Sequence, residues 1–197
     1  MSTYRLAYIL TTDINSKRTQ FSKNILEKIG FTTVLFQAFP HSNKLLSHKL
    51  SMIAIYNIIA LGSENYVYVF EDDINILEDI TVKDIIEYEK LSPMFFYLGM
   101  CAYGDRRISM SPYKINDREI TIVHNHVRGL HALGISKKGA KEIAFTCLNT
   151  DELYVDIILE SMLSKYPAIV MRYDLESYIP GHRGVIFQDR NLFPTTI

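Results

Sequence analysis

The sequence has few cysteines, almost no net charge and no long apolar run, and each absence excludes a class of protein. Its two cysteines, Cys101 and Cys147, are isolated, which argues against a disulfide framework or a zinc-binding CxxC pattern and fits a reducing compartment. The 21 basic and 22 acidic residues give a formal net charge of −1, unlike typical nucleic-acid or membrane-surface binders. No segment approaches the ~20 apolar residues of a membrane span, and the N-terminus lacks the form of a signal peptide. We therefore expect a cytoplasmic protein without nucleic-acid partners.

Short apolar segments alternate with segments of helical periodicity. A length of 197 residues suits one domain, residues 1–197. Strands are predicted at residues 6–10, 32–36, 66–70, 94–98, 130–135 and 168–173, and helices at 21–29, 46–61, 81–90, from 137 and at 153–165. This alternation predicts an α/β fold with a central, mostly parallel sheet flanked by helices. The polar residues 101–120 predict a mobile loop.

Three consecutive carboxylates, Glu71, Asp72 and Asp73, follow the most strand-like segment. Ligands of parallel sheets bind beyond the carboxyl ends of the strands, and adjacent carboxylates repel one another, so we expect a metal ion, a basic side chain or water there. Strand alternation places Glu71 and Asp73 on one side and Asp72 on the other. Hard cations such as Mg²⁺ and Mn²⁺ prefer such oxygen ligands. The alternative is that Asp73 caps a helical turn while the other two are solvated.

Histidines and arginines outside this triplet are weaker candidates. His182 lies between Pro180-Gly181 and Arg183-Gly184, where glycines let the backbone approach a ligand closely; the alternative is an exposed turn histidine. His124 and His126 resemble a nuclease pattern only weakly, and polar strand or loop positions are the preferred interpretation. The other candidates for phosphate or acceptor contacts, each with a solvated charge as its alternative, are Arg106, Arg107 and Arg128.

Taken in order, several motifs resemble glycosyltransferase family 25, the lipopolysaccharide-type sugar transferases with a GT-A fold. The matching stretches are the first strand with DINSKR and its Arg18, the pair Ser47-His48, VFEDD, LHALGISKKGAKEI and the pair Val155-Asp156. The resemblance covers residues 4 to about 160, whereas the last 30 residues match no motif of the family. It implies a GT-A type Rossmann-like domain.

The resemblance also implies an activity, a cofactor and site residues. The activity is metal-dependent, inverting transfer of a sugar from a nucleotide-sugar donor, UDP-linked, to a glycan or related hydroxyl acceptor. Mn²⁺ or Mg²⁺ would be held by Glu71, Asp73 and His182 and would stabilise the leaving diphosphate. The residues expected to bind the donor are Thr11, Thr12, Arg18, Ser47, His48 and Asp72. For Ser47 the alternative is a helix-capping serine.

Inversion requires a carboxylate on the acceptor side as general base, and the family position corresponds to Asp156. Glu152 lies four residues earlier and would share a helix face with Asp156, whereas Asp151 is interpreted as an N-terminal helix charge. Two alternatives remain open. One is a catalytically silent module that binds glycan or protein; the other is a different metal-dependent nucleotide enzyme, such as a nucleotidyltransferase, although no Gly-rich phosphate loop follows the first strand.

Overall fold

Strands and helices alternate through the first part of the chain, as the periodicity predicts. The computed structural model describes residues 4–104 and 106–194. The Ser16 side chain caps the first helix by accepting a hydrogen bond from the Thr19 amide, and Gly30 ends it with a φ of 108°, a left-handed conformation that favours glycine. The first elements are β1 (Arg5–Thr11), α1 (Lys17–Ile29), β2 (Phe31–Gln37), α2 (Lys44–Leu61) and β3 (Tyr66–Glu71).

The second part of the chain contains more strand than the sequence predicts. Residues 101–120, predicted as a mobile loop, contain most of an antiparallel hairpin, β6 (Ile108–Ile115) and β7 (Arg118–Val123). That prediction was wrong because β6 is largely exposed and therefore lacks the apolar alternation of a half-buried strand. The remaining elements are β4 (Ile74–Ile76), α3 (Val82–Glu89), β5 (Phe95–Ala102), β8 (Val127–Ser136), α4 (Lys137–Leu148), α5 (Val155–Leu163), β9 (Ala168–Val170), β10 (His182–Gly184) and β11 (Ile186–Gln188).

A nine-stranded sheet forms the centre of the fold, in the order β2-β1-β3-β8-β5-β9-β7-β6, with β10 paired to β5. From the pairings, β1, β2, β3, β5, β6 and β9 run in one direction and β7, β8 and β10 run against them. The predicted α/β class with a large central sheet and flanking helices is confirmed. The sheet is mixed because β8 enters between β3 and β5 from the opposite end.

Two apolar clusters cover the two faces of the sheet. Side chains of β3 alternate between them, since Val67 and Val69 join one cluster while Tyr68 and Phe70 join the other. The first cluster also contains residues of α2, α4 and α5, and the second contains residues of α1 and α3. No helix in the described part of the chain is long and apolar enough to cross a membrane.

The C-terminal segment returns across the sheet and ends beside the acidic triplet. β10 pairs antiparallel with β5, and β11 pairs antiparallel with β4, so that Gln188 lies opposite Ile74. Close passage requires glycine: a Cβ added at Gly99 would lie 1.8 Å from the Ile186 carbonyl oxygen. This crossing brings residues 188–190 to the carboxyl end of β3.

Candidate functional site

The acidic triplet occupies the carboxyl end of β3, where the sequence places it. Glu71 is the last residue of β3, and Asp72 and Asp73 form the turn into β4. The two aspartates are buried, with 6% and 1% of their surfaces exposed. Buried carboxylates are stable only with hydrogen-bonding or charged partners, so their contacts define the site. Asp73 precedes a strand, so the alternative in which it caps a helical turn was wrong.

Asp72 is held by residues of β1 and α1. The Thr11 hydroxyl donates to its carboxylate, with 2.6 Å between Oγ1 and Oδ2, and the Arg18 guanidinium pairs with its other oxygen. Thr19 adds a longer hydrogen bond of 3.3 Å. The structure therefore brings together three of the residues expected to bind the donor. Thr12 is exposed beside them, and its carbonyl oxygen accepts a hydrogen bond from Gln37.

Glu71 and Asp73 share a partner on the other side of the chain, as strand alternation predicts. The Gln188 side-chain amide donates to the Glu71 carboxylate and lies 3.4 Å from Asp73 Oδ1. The second Asp73 oxygen lies 3.5 Å from a guanidinium nitrogen of Arg18 and 3.5 Å from one of Arg190. Basic side chains, one of the expected sources of positive charge, therefore adjoin the triplet.

The surroundings of Glu71 and Asp73 disfavour the ionised forms of both carboxyl groups. Burial raises the pKa of Glu71 to about 8, and the neighbouring charge of Asp73 adds to the shift. Burial also raises the pKa of Asp73, although Arg18 and Arg190 oppose the change. A carboxylate pair that resists ionisation in this way would be stabilised by a further cation.

A divalent cation fits Glu71 and Asp73 as a pair of hard oxygen ligands. Among the described residues, no set of three His, Cys, Asp or Glu side chains is arranged to hold a metal ion. Two protein carboxylates are nevertheless a common donor set for Mg²⁺ when substrate phosphates complete the coordination. The donor chemistry therefore fits an ion bound together with a diphosphate.

His182 makes a different set of contacts. It is buried, so the alternative of an exposed turn histidine was wrong. Its Nε2 lies 3.2 Å from the Cys101 Sγ, and its ring stacks on that of His131 with 5.7 Å between centroids. The structure therefore assigns His182 a packing role between β5 and β8 and does not join it to the two carboxylates in a three-residue metal set.

Asp156 lies in the first turn of α5 and faces a separate cleft of about 390 Å³. One of its carboxylate oxygens lies 3.4 Å from the Gly129 amide, which donates to it. Its charge contributes to raising the pKa of Glu71, after burial and the charges of nearer groups, so the cleft and the triplet belong to one edge of the sheet. The residues that line the cleft are Tyr103, His126, Arg128, Tyr154, Asp156 and Ile157.

His48 and Ser47 lie on α2. Burial lowers the pKa of His48, and the charge of Asp156 opposes that change, which indicates that the two residues lie in the same region. Ser47 donates to the Phe39 carbonyl oxygen. Because Asn43 is the N-cap of α2, the alternative of Ser47 as a capping serine was wrong.

Glu152 lies outside the helix that carries Asp156. Helix α5 begins at Val155, and Glu152 belongs to the preceding loop, where its carboxylate accepts a hydrogen bond of 2.9 Å from the Tyr154 amide. The expectation that Glu152 and Asp156 share a helix face was therefore wrong. Asp151 is exposed in the same loop, so it is not a charge of the first helical turn.

Sequence reasoning missed Thr19, Gln188 and Arg190 at the triplet and Tyr103 and Tyr154 at the cleft. For Arg190, the basic composition of the C-terminal segment was a weak signal. Among the remaining candidates, His124 bonds to Ser109 of the hairpin, and Arg128 pairs with Glu160 at 2.7 Å. His124 follows β7 and is therefore a polar loop residue, in line with the preferred interpretation, and Arg128 is a polar residue of β8.

No protein-family model and no curated protein matches the sequence. Solved structures are similar in fold. The glycosyltransferase GlyE of Streptococcus pneumoniae TIGR4 has a TM-score of 0.50 and 13% identity, over 98% of this chain and 57% of GlyE. UDP-glucose pyrophosphorylase complexed with UDP-glucose has a TM-score of 0.50 and 8% identity, over 84% of this chain and 89% of the pyrophosphorylase. A197 from STIV has a TM-score of 0.44 and 11% identity, over 84% and 80% of the two chains. At these identities the similarity establishes a fold that nucleotide-sugar enzymes also use.

Proposed function

We propose that the protein transfers a sugar from a UDP-linked donor to a hydroxyl group of a glycan or related acceptor, with inversion of the anomeric carbon. The observation that carries this proposal is the presence, at one sheet edge, of the acidic triplet with its arginines and of a carboxylate in a neighbouring cleft. The triplet with its arginines provides what a diphosphate needs, and the carboxylate in the cleft provides the base that an attacking hydroxyl needs. The fold similarity to GlyE, which is named a glycosyltransferase, supports the proposal.

At the triplet, the protein's own side chains would bind the diphosphate. Arg18 is oriented by Asp72, and 30% of its side chain remains exposed. A phosphate oxygen could therefore contact its guanidinium group. Arg190 adds a second guanidinium, which Gln188 helps to place through a hydrogen bond of 3.0 Å. The arginines would thus lie beside the charge that develops as the diphosphate leaves.

Mn²⁺ or Mg²⁺ would be held by Glu71 and Asp73 in this proposal, without His182. The ion would act as a Lewis acid for the leaving diphosphate. The pKa of each of these two carboxyl groups is raised, so a bound cation would stabilise their ionised forms.

At the cleft, Asp156 would accept the proton of the acceptor hydroxyl. Inversion requires the hydroxyl to attack the face of the sugar opposite the diphosphate, so the base must stand on the acceptor side within about 3 Å of the hydroxyl oxygen. Asp156 lies in a cleft apart from the triplet, which is consistent with a base that stands away from the diphosphate site.

Calorimetric titration with UDP tests the donor site directly. UDP should bind more tightly with Mn²⁺ than in its absence, and Asp73→Asn should keep the fold but lose the difference, because one carboxylate ligand is removed. Asp79→Asn changes an exposed aspartate and serves as the matched control. Equal UDP affinity with and without Mn²⁺ would show that the metal part of the proposal is wrong.

A nucleotidyltransferase is the second candidate, because UDP-glucose pyrophosphorylase shares the fold. The two activities differ in their products. Incubation with UTP and hexose 1-phosphates would release pyrophosphate if the second candidate is correct. Incubation with UDP-sugars would release UDP if the first is correct, and release of neither product would favour a catalytically silent binding module.

A further inference from the structure

We propose that the cleft beside Asp156 binds a pyranose ring of the acceptor, packed on the exposed rings of Tyr103 and Tyr154. The inference rests on the proposed function only for the role of this sugar as acceptor. The cleft of about 390 Å³ has the size of ligand sites in proteins and combines aromatic, aliphatic and charged side chains.

The two tyrosines expose more aromatic surface than packing requires. Tyr103 is 56% exposed and Tyr154 is 49% exposed, and both line the same open cleft. Large exposed aromatic groups that line one site are typical of binding surfaces, since their apolar faces gain from contact with a ligand. The exposed area of the pair is therefore best explained by a ligand with an apolar face.

Hydrogen bonds fix the main chain at both tyrosines. The Tyr103 amide donates to the His126 carbonyl at 3.1 Å. The Tyr154 amide donates to Glu152, and Tyr154 is the N-cap residue of α5. A main chain that is fixed before binding loses less conformational entropy when the ligand arrives. The bond to Tyr154 gives Glu152 a role in positioning the main chain at that tyrosine.

Polar groups of the cleft match the edge of a sugar ring. Asp156 can accept from a hydroxyl, and the Arg128 guanidinium, held by Glu160 through Nε at 2.7 Å, can donate to one. A pyranose presents C–H groups on its face and hydroxyls around its edge, so it can contact both kinds of group at once. An anionic ligand would meet the Asp156 carboxylate, which favours a neutral sugar.

Saturation-transfer NMR with methyl pyranosides tests this site without requiring activity. The panel comprises methyl α- and β-glycosides of glucose, galactose, mannose and N-acetylglucosamine, with UDP and UDP-sugars measured separately. At least one methyl glycoside should receive saturation at its ring C–H protons. Tyr103→Ala and Tyr154→Ala should each weaken that binding about tenfold, whereas Tyr154→Phe, which keeps the ring, should retain it.

Controls separate this inference from the proposed function. Tyr113→Ala removes a tyrosine that is 66% exposed on β6, away from the cleft, and should leave sugar binding unchanged. Thermal unfolding checks that the variants are folded. Glycoside binding without UDP binding would preserve the sugar site while overturning the donor proposal. The inference would be overturned if no methyl glycoside received saturation or if only UDP-sugars did. It would also be overturned if Tyr113→Ala weakened glycoside binding as much as Tyr103→Ala and Tyr154→Ala do.

Discussion

Asp72 of the acidic triplet and Asp156 lie at the same edge of the sheet but have different hydrogen-bonding partners. Asp72 is bound by two hydroxyls and Arg18, whereas Asp156, in the first turn of α5, accepts hydrogen bonds from the Gly129 and Ile157 amides. A general base must be ionised and reachable, and Asp156 lines an open cleft. The residue is therefore suited to accept a proton, whereas Asp72 is suited to hold Arg18.

Asp156→Asn should lower sugar transfer by about 10²-fold or more, the usual effect of losing a general base, while UDP and Mn²⁺ affinities stay nearly intact. Asp151→Asn changes an exposed aspartate of the adjoining loop and is the matched control. Steady-state rates and calorimetry measure the two effects. NMR of the product from an α-linked donor should show a β linkage, and an α linkage would contradict both the base and the inverting mechanism.

Local patterns predicted part of the site and missed the rest for a physical reason. The alternation of Glu71, Asp72 and Asp73 follows from strand geometry, which acts between neighbours in the chain. The contacts of Gln188 with Glu71 and Asp73 join residues more than a hundred positions apart. They depend on the path of the C-terminal segment across the sheet, which no local period encodes.

The carboxylate of Glu89 connects α3 to the sheet through hydrogen bonds. Glu89, the last residue of α3, accepts from the Arg5 guanidinium of β1 at 2.6 Å and from the Tyr68 hydroxyl of β3 at 2.8 Å. Glu89 is 8% exposed and Tyr68 is fully buried. The contact therefore joins a helix to two neighbouring strands.

Glu89→Ala should destabilise the protein by about 2–3 kcal/mol, because it leaves the buried Tyr68 hydroxyl and the Arg5 guanidinium without this partner. Glu87→Ala removes an exposed ion pair with Lys90 on the same helix and should change stability by less than about 0.5 kcal/mol. Urea unfolding of both variants measures the difference. Equal losses would show that the network does not join α3 to the sheet.

Element boundaries were predictable where the end signal is local. Serine is typical of N-caps and glycine of C-caps, and Ser16, Ser136 and Gly30 occupy these positions within one turn of their helices. The β6–β7 hairpin was missed because its residues contact solvent on both faces of β6, so that burial imposes no alternation. Local sequence signals therefore predict the ends of helices better than they predict an exposed hairpin.

Across the whole molecule, the return of the C-terminal segment places two histidines face to face. The His131 and His182 rings are nearly parallel, and His131 is fully buried. Burial lowers the pKa of His131 to about 3, with His182 adding to the shift, and burial with Arg190 lowers the pKa of His182. The Cys101 thiol beside His182 stays neutral, because burial raises its pKa to about 12. Both histidines are therefore neutral in the folded protein at neutral pH.

This arrangement predicts a loss of stability in mild acid. Below about pH 6.5 the unfolded chain binds protons at both histidines, whereas the folded protein excludes the His131 proton until pH falls to about 3. Stability should therefore be greatest above about pH 6.5 and should fall towards pH 3, by at most about 1.4 kcal/mol per pH unit for each excluded proton. Urea unfolding at intervals between pH 7.5 and pH 4.5 measures this slope.

His131→Leu should reduce the slope by about one proton, because the neutral side chain binds none in either state. His41→Gln replaces an exposed histidine and should leave the slope unchanged, while carboxylates contribute equally to both variants and cancel in the comparison. An identical slope in wild type and His131→Leu would show that the buried imidazole does not govern the acid response. A reduced slope would locate that response where the C-terminal segment crosses β5, since the crossing is what buries the histidine pair.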